Sequence, residues 1–422
     1  MNHRIYLDHA ATTEMLPEVT YAMEPYFIKK YGNASTTYEL GDEAKKAMEK
    51  AREEIAHCIG AHPMEIFFTS GGSESDNWAI KSIAGDRKQK GQHILTTKIE
   101  HHAVLHSCEY LEGLDYKVTY LDVDEKGIVD MAQMRRCIEE GEKLTSMRTT
   151  RKDFVTGNGV PNVNNAIAGS SVIPSNRNRV TLISIMYGNN EIGTIEPIEE
   201  IGSLARSHDI YFHTDGVQGV GQIPIKVNKL PIDLLSASAH KFHGPKGIGF
   251  LYVRKGLSIP SFIHGGAQER EKRAGTENVA GIVGMAKALT MAESEMTKKR
   301  REITSLRNYF SERVLNEIPK VRLNGHPNKR LPGNLSFSIR DVEATALLVL
   351  LEEEGIYGSS GSACNTGMTR LSHVIEAIGV PKEYAYGTVR FTLGRENTKR
   401  EVDKTIDVLK KSVQILRDNK VT

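Results

Sequence analysis

The side chains whose settings suggest chemistry begin with Lys241, in the run Ser236-Ala237-Ser238-Ala239-His240-Lys241-Phe242-His243-Gly244-Pro245. An apolar strand there ends in small residues and a hydroxyl, then opens into a glycine-rich loop. Sites in α/β sheets lie beyond the carboxyl ends of strands, and a lysine at such an end is placed to form an imine with an aldehyde. Lys246, a few residues on, reads as solvated charge. Tyr211-Phe212-His213-Thr214-Asp215 likewise ends a strand in an acid. An isolated aspartate after a strand is ordinarily a helix cap. Opposite Lys241 it is placed to hold a pyridine nitrogen in its protonated form, which makes an aromatic ring an electron sink.

An anion needs a cradle, and Gly71-Gly72-Ser73-Glu74-Ser75 supplies one between the apolar run ending at Ser70 and a helical pattern. Glycine lets the backbone approach, the helix start offers free N–H groups, and Ser73 adds a hydroxyl. The same residues also make an ordinary turn; Ser238 and His240 are further donors. His101, after the strand Ile94–Thr97, could stack on an aromatic ring, or bond the backbone at a helix start. His102 and His106 stand four apart on that helix, as metal ligands would, yet no acidic third ligand lies at a matching spacing. Cys364 sits in Ser359-Ser360-Gly361-Ser362-Ala363-Cys364-Asn365-Thr366-Gly367, where small neighbours leave a thiol accessible as a nucleophile. Cys58, Cys108 and Cys137 fall in helical patterns and read as packing. Arg390, between Val389 and Phe391, is placed to point into a cleft and clamp a carboxylate.

Elements must position these groups. Alternating β-rich runs and helical periods fill the first two-thirds of the 422 residues, which predicts a largely parallel sheet covered on both faces. The strands expected at Leu234–Ala237 and Ile248–Val253 have little helix between them, so the sheet should be mixed. After Gly266 a long charged helix, about Glu277–Ile318, leads into short strands and two more helices. This predicts a large α/β domain over 15–265 and a smaller α+β domain over 266–422, joined by residues 1–14. Glu142–Arg179 is polar and aperiodic, and reads as a long surface loop. The 55 basic and 53 acidic side chains nearly cancel, so no nucleic acid or anionic membrane is expected as partner. No run approaches the length of a membrane span. Four scattered cysteines argue for a reducing, cytoplasm-like compartment; a presequence cleaved from the mature chain would be invisible.

Taken together these segments resemble the cysteine desulfurases of the class V aminotransferase group, pyridoxal-phosphate (PLP) enzymes of fold type I. Further matches are Tyr6-Leu7-Asp8-His9-Ala10-Ala11-Thr12-Thr13, Tyr31-Gly32-Asn33-Ala34-Ser35, Asn189-Asn190-Glu191-Ile192-Gly193 and Arg273-Ala274-Gly275-Thr276-Glu277-Asn278. The resemblance implies that Lys241 anchors PLP, Asp215 pairs with its ring nitrogen and His101 stacks on the ring. Gln218 and Asn190 would bond its phenolic oxygen or the substrate carboxylate, with phosphate contacts from Gly72, Ser73, Ser238 and His240. Thr276 would reach the phosphate of a neighbouring subunit, implying a homodimer. Arg390 would bind the carboxylate of L-cysteine, and Cys364 would take its sulfur as a persulfide, leaving L-alanine. The Ser-Ser-Gly-Ser-Ala-Cys loop resembles the housekeeping subgroup, whose acceptors are iron–sulfur scaffold proteins and tRNA-thiolation proteins. Ser73 and Ala34 replace the usual threonine and proline, and nothing in the resemblance accounts for the length of 142–179. The rival readings are a selenocysteine lyase on the same fold, a non-catalytic sulfur-assembly scaffold, and a metal site through His101, His102 and His106.

Overall fold

The computed structural model describes residues 4–152, 177–360 and 371–419. Its strands, in chain order, are β1 (Ile5–Tyr6), β2 (Ile66–Thr69), β3 (His93–Thr97), β4 (Lys117–Leu121), β5 (Val180–Ser184), β6 (Tyr211–Asp215), β7 (Leu234–Ser238), β8 (Gly249–Val253), β9 (Val321–Leu323), β10 (Asn334–Ile339), β11 (Ile356–Tyr357) and β12 (Thr388–Thr392). The seven strands β2 to β8 form one sheet in the order β2-β8-β7-β6-β5-β3-β4. Pairs among β3 to β7 are parallel, and only β8 runs against its neighbours β7 and β2. The expected mixed sheet is therefore present, its reversal confined to one strand.

Every residue of β2, β3, β5, β7 and β8 is buried. That is why these strands read as continuous apolar and small runs rather than alternating ones. Successive side chains still go to opposite faces. Ile66, Phe68, Leu95 and Leu235 join one core with the helix Glu39–Ile59. Phe67, Ile94, Leu234 and Leu251 join the other, with Trp78, Ile80 and Ile83 of the helix Gly72–Asp86.

A further core lies apart from this sheet. β12, β10 and β9 form an antiparallel three-stranded sheet whose Phe337, Val389 and Phe391 pack against Val402, Ile406 and Leu409. Ile5 and Leu7 join this core, and β1 lies parallel to β11. The helix Val279–Glu317 serves both cores: Val279, Ile282, Met285 and Leu289 belong to the first, Phe310 and Val314 to the other.

One expectation needs correcting. The helix Met131–Lys152 continues through the first part of the segment read as loop; its Glu, Lys, Arg and Met residues are good helix formers. The far end, too, is structural. His93 donates its backbone N–H to Arg179 O at 3.2 Å, and its ring Nδ1 lies 3.1 Å from Asn178 O. A side chain at Gly141 would begin only 2.4 Å from Asn178 O, so glycine permits the chain to pass itself where the segment leaves and returns. Residues 153–176, the rest of it, lie outside the described chain.

Candidate active site

Residues at or beyond the ends of β2, β3, β5, β6 and β7 converge with Arg390 of β12 on one cavity of about 340 Å³. It is lined by Gly72, Ser73, His101, Asn190, Asp215, Gln218, Ser238, His240, Lys241 and Arg390, all expected from sequence, and by Asp76 and Met186, which were not. Lys241 follows β7 in a single 3₁₀ turn, Ala239–Lys241. Its Nζ donates to Ala10 O at 2.5 Å and Ala11 O at 2.8 Å. Burial, and then the charge of Arg390, lower its pKa to about 8, against smaller pulls from Asp215 and Asp8. An amine so lowered is more often neutral, and hence nucleophilic, near physiological pH.

Asp215 ends β6 and is buried. Its Oδ1 accepts the Val217 N–H at 2.9 Å, so the turn-forming role of an aspartate after a strand is filled alongside its place in the cavity. Burial raises its pKa, with His101 and Lys241 opposing. Asp76, one turn into the helix from Gly72, is buried with Oδ1 unpartnered among the described residues, and its pKa is raised by burial and by Asp215. Its Oδ1 lies 3.6 Å from His213 Nε2.

At the mouth of the helix Gly72–Asp86, Gly71 adopts φ +148°, a region that favours glycine. A side chain on Gly72 would meet Val217 Cγ2 at 2.6 Å. The helix start is thereby drawn against the end of β6, its first-turn N–H groups free for an anion. His101 caps the helix His102–Glu112 by accepting the Ala103 N–H on Nδ1 at 3.1 Å, and it lines the cavity as well. Both roles weighed for it are thus compatible, and in the neutral ring the proton sits on Nε2. His240 Nδ1 lies 3.1 Å from Thr12 Oγ1; burial and the charges of Lys241 and Lys246 lower its pKa to about 4, so it is neutral. Gln218 donates to Ala10 O at 3.0 Å.

Arg390, on β12, is buried. It gives Nη2 to Asp8 Oδ1 at 2.7 Å and Nη1 to Asn190 O at 3.0 Å, while Nε has no partner among the described residues. Arg390 nonetheless lines the cavity beside Lys241, where a guanidinium is suited to receive a carboxylate. Thr276 is exposed and does not line this cavity. Cys364 lies outside the described residues. Burial raises the thiol pKa of Cys58, Cys108 and Cys137, which makes each a poor nucleophile. His102 packs against His106 and His373 with ring centroids 5.2 and 4.9 Å away; among the described residues no group of three or more His, Cys, Asp or Glu is arranged to hold a metal ion. The sequence signal for Asp76 was its helical spacing from Gly72, four residues. Asp8, which holds Arg390, carried no signal apart from its place in the Tyr6–Thr13 match.

A lysine of lowered pKa, a buried acid and an anion cradle at one sheet edge fit a phosphorylated pyridine aldehyde, and the Arg390 guanidinium in the same lining fits an amino-acid carboxylate. This fold and this edge are those of a PLP enzyme of fold type I. The family description Aminotransferase class-V matches residues 5–173 and 170–405. Cysteine desulfurase IscS of Methanosarcina thermophila is 47% identical over 417 residues, covering 99% of this chain and 94% of that one. Its namesake from Dictyoglomus turgidum is 48% identical, covering 99% and 96%. Among solved structures, a NifS-like protein superposes with a TM-score of 0.82 at 35% identity, covering 98% of this chain and all of its own. A structure titled SspA in complex with cysteine gives 0.72 at 32% identity, covering 93% of this chain and 100% of that one. This chain belongs to the class-V aminotransferase family and, within it, to the cysteine desulfurases.

Proposed function

We propose that the chain uses PLP to take sulfur from L-cysteine, releasing L-alanine and leaving the sulfur as a persulfide on Cys364. The observation that carries this reading is the meeting of a lowered-pKa lysine, a buried acid and an arginine in one cavity. Lys241 would hold the cofactor aldehyde and Asp215 its ring nitrogen, with the phosphate on Gly72, Ser73, Ser238 and His240. The bound cofactor supplies an electron sink for the substrate's carbon skeleton. Arg390 and Asn190 orient the substrate carboxylate, and Gln218 bonds the ring oxygen. The Lys241 amine takes the α-proton and returns it to carbon, a task suited to a pKa near the working pH. The Cys364 thiolate attacks the substrate sulfur. The carbon–sulfur bond breaks with its electron pair going to the carbon fragment, which gains protons to become alanine.

Cys364 lies in a loop that resembles the housekeeping subgroup, so we read the acceptors as iron–sulfur scaffold or tRNA-thiolation proteins. Thr276, exposed on the loop before the helix Val279–Glu317, is read as reaching a second subunit's phosphate in a homodimer. The scattered cysteines support a reducing, cytoplasm-like setting, and no described helix is long and apolar enough to cross a membrane. The test is direct: purified protein should be yellow and should release alanine and sulfide from L-cysteine in the presence of a reductant. Colourless protein that binds no PLP, or a yellow protein that leaves cysteine intact, would overturn it. Running L-selenocysteine in parallel separates desulfurase from selenocysteine lyase.

A further inference from the structure

The stretch that contains Cys364 is rooted at both ends in the surroundings of Arg390. On the upstream side, Arg390 and Ser359 exchange backbone hydrogen bonds of 2.6 and 3.0 Å. On the downstream side, Ser372 caps the helix His373–Ala377, its Oγ accepting the Val374 N–H at 3.1 Å and the Ile375 N–H at 3.5 Å. The same hydroxyl donates to Glu191 Oε2 at 2.5 Å. Glu191 is buried and follows Asn190, whose backbone oxygen accepts Arg390 Nη1 at 3.0 Å and Asn334 Nδ2 at 3.3 Å. Asn189 braces this strap: its Oδ1 accepts the N–H groups of Glu191 and Ile192, and its Nδ2 donates to Ile99 O. One carboxyl group thus stands between the foot of the cysteine segment and the peptide that holds the substrate arginine.

We propose that Glu191 is a positioning residue for sulfur transfer, tying Ser372 to the Asn190 peptide so that the rooting of the cysteine segment and the aim of Arg390 are set together. This rests on the roles given above to Arg390 and Cys364. Among the described residues the charge acting on it is that of Arg390 on β12, itself paired with Asp8, and His373 next to Ser372 turns its Nε2 to Glu100 O at 2.9 Å. Burial raises the Glu191 pKa to about 7, with the Ser372 hydrogen bond and the Arg390 charge holding it down. Its ionised form is the stronger acceptor for Ser372 and the stronger partner for Arg390.

The test uses full-length holoenzyme and three readouts: single-turnover persulfide on Cys364, L-cysteine affinity from the cofactor spectrum, and alkylation of Cys364 by iodoacetamide without substrate. Glu191→Ala should slow persulfide formation roughly tenfold to a hundredfold, as misplacement of reacting groups does, weaken L-cysteine binding, and change the alkylation rate. Ser372→Ala should reproduce the transfer and alkylation effects while leaving affinity near wild type. The double variant should be no worse than Glu191→Ala alone, because the two residues form one link. Glu191→Gln keeps an acceptor for Ser372; it should restore most of the transfer rate and lose any inflection near pH 7 in its profile. Effects that multiply in the double variant, wild-type transfer in Ser372→Ala, or an unchanged pH profile in Glu191→Gln would each overturn the proposal. Should Glu191→Ala not fold, the Ser372→Ala and Glu191→Gln results still decide. Wild-type enzyme that forms no persulfide on Cys364 would instead refute the proposed function itself.

Discussion

The two sides of the cavity are built differently. On one side, Asp215, Ser238, His240 and Lys241 sit at or just beyond the ends of β6 and β7, neighbours in the seven-stranded sheet. Those strands are buried and ladder-bonded, so the side chains are fixed by the core itself. On the other side, Arg390 belongs to a different sheet and reaches the cavity across a seam. What aims it is a set of side-chain and loop contacts, to Asp8, Asn190 and Ser359. On the proposed reading, cofactor chemistry rests on one core and substrate recognition on the joint between two. Changes on the sheet side should therefore abolish all steps, whereas changes at the seam should separate cofactor binding from sulfur transfer.

The largest effect expected is that of Lys241→Ala. It removes both the anchor and the proton carrier, and alanine formation should fall on the order of ten-thousandfold or more. Undiminished turnover would end the assignment and the comparison with it. Next comes Cys364→Ser, which should stay yellow and shift its spectrum with L-cysteine, yet make alanine at least roughly a hundredfold more slowly, because a hydroxyl is a poor sulfur nucleophile. The serine variants of Cys58, Cys108 and Cys137 should keep substantial activity. Normal sulfide release from Cys364→Ser would point to a lyase that expels sulfur without an enzyme thiol.

A smaller effect should appear in the cofactor-free protein. The Lys241 pKa is lowered from 10.5 to about 8 on folding, so between those values the unfolded chain binds more protons. Stability relative to Lys241→Met should then be flat below pH 8 and rise toward pH 10.5, by at most about 1.4 kcal/mol per pH unit. Denaturant melts of both proteins at pH 7, 8, 9 and 10 would check this; a difference that falls with pH would show that the buried amine is not under strain. The smallest effect is expected from replacing 153–176 with a short Gly/Ser linker. The close approach of Gly141 to Asn178 already brings the flanks together, and loop length costs little closure entropy. The shortened protein should melt within about 4 °C of the parent and still bind PLP; insoluble or cofactor-free protein would refute the surface reading.

The sheet side was the more legible in sequence. β6 and β7 are short apolar runs that end in polar residues, and local pattern suffices to find Asp215 and Lys241. The helix cradle at Gly72 announces itself by glycine. Glu191 and Asp76 were passed over as roles because a carboxylate in a polar run reads as solvated, and only packing from distant segments buries it. β1 and β11, two residues each, are invisible to any periodicity, since their pairing is a matter of tertiary contact. The helix Met131–Lys152 was not anticipated, because its apolar positions Met131, Met134 and Ile138 give way from 142 on to a polar run with no apolar period by which a helix is recognised.

The 39-residue helix Val279–Glu317 has a thermodynamic consequence. At 1.5 Å per residue it is about 58 Å long, with its buried residues gathered toward the two ends and a charged middle, Lys298-Lys299-Arg300-Arg301, between them. Neither core can melt without stripping half of this helix of its packing face, and a helix fraying from one end weakens the other. The two cores should therefore lose structure in a single cooperative transition, so that a destabilising substitution in either is felt by the cavity at their seam.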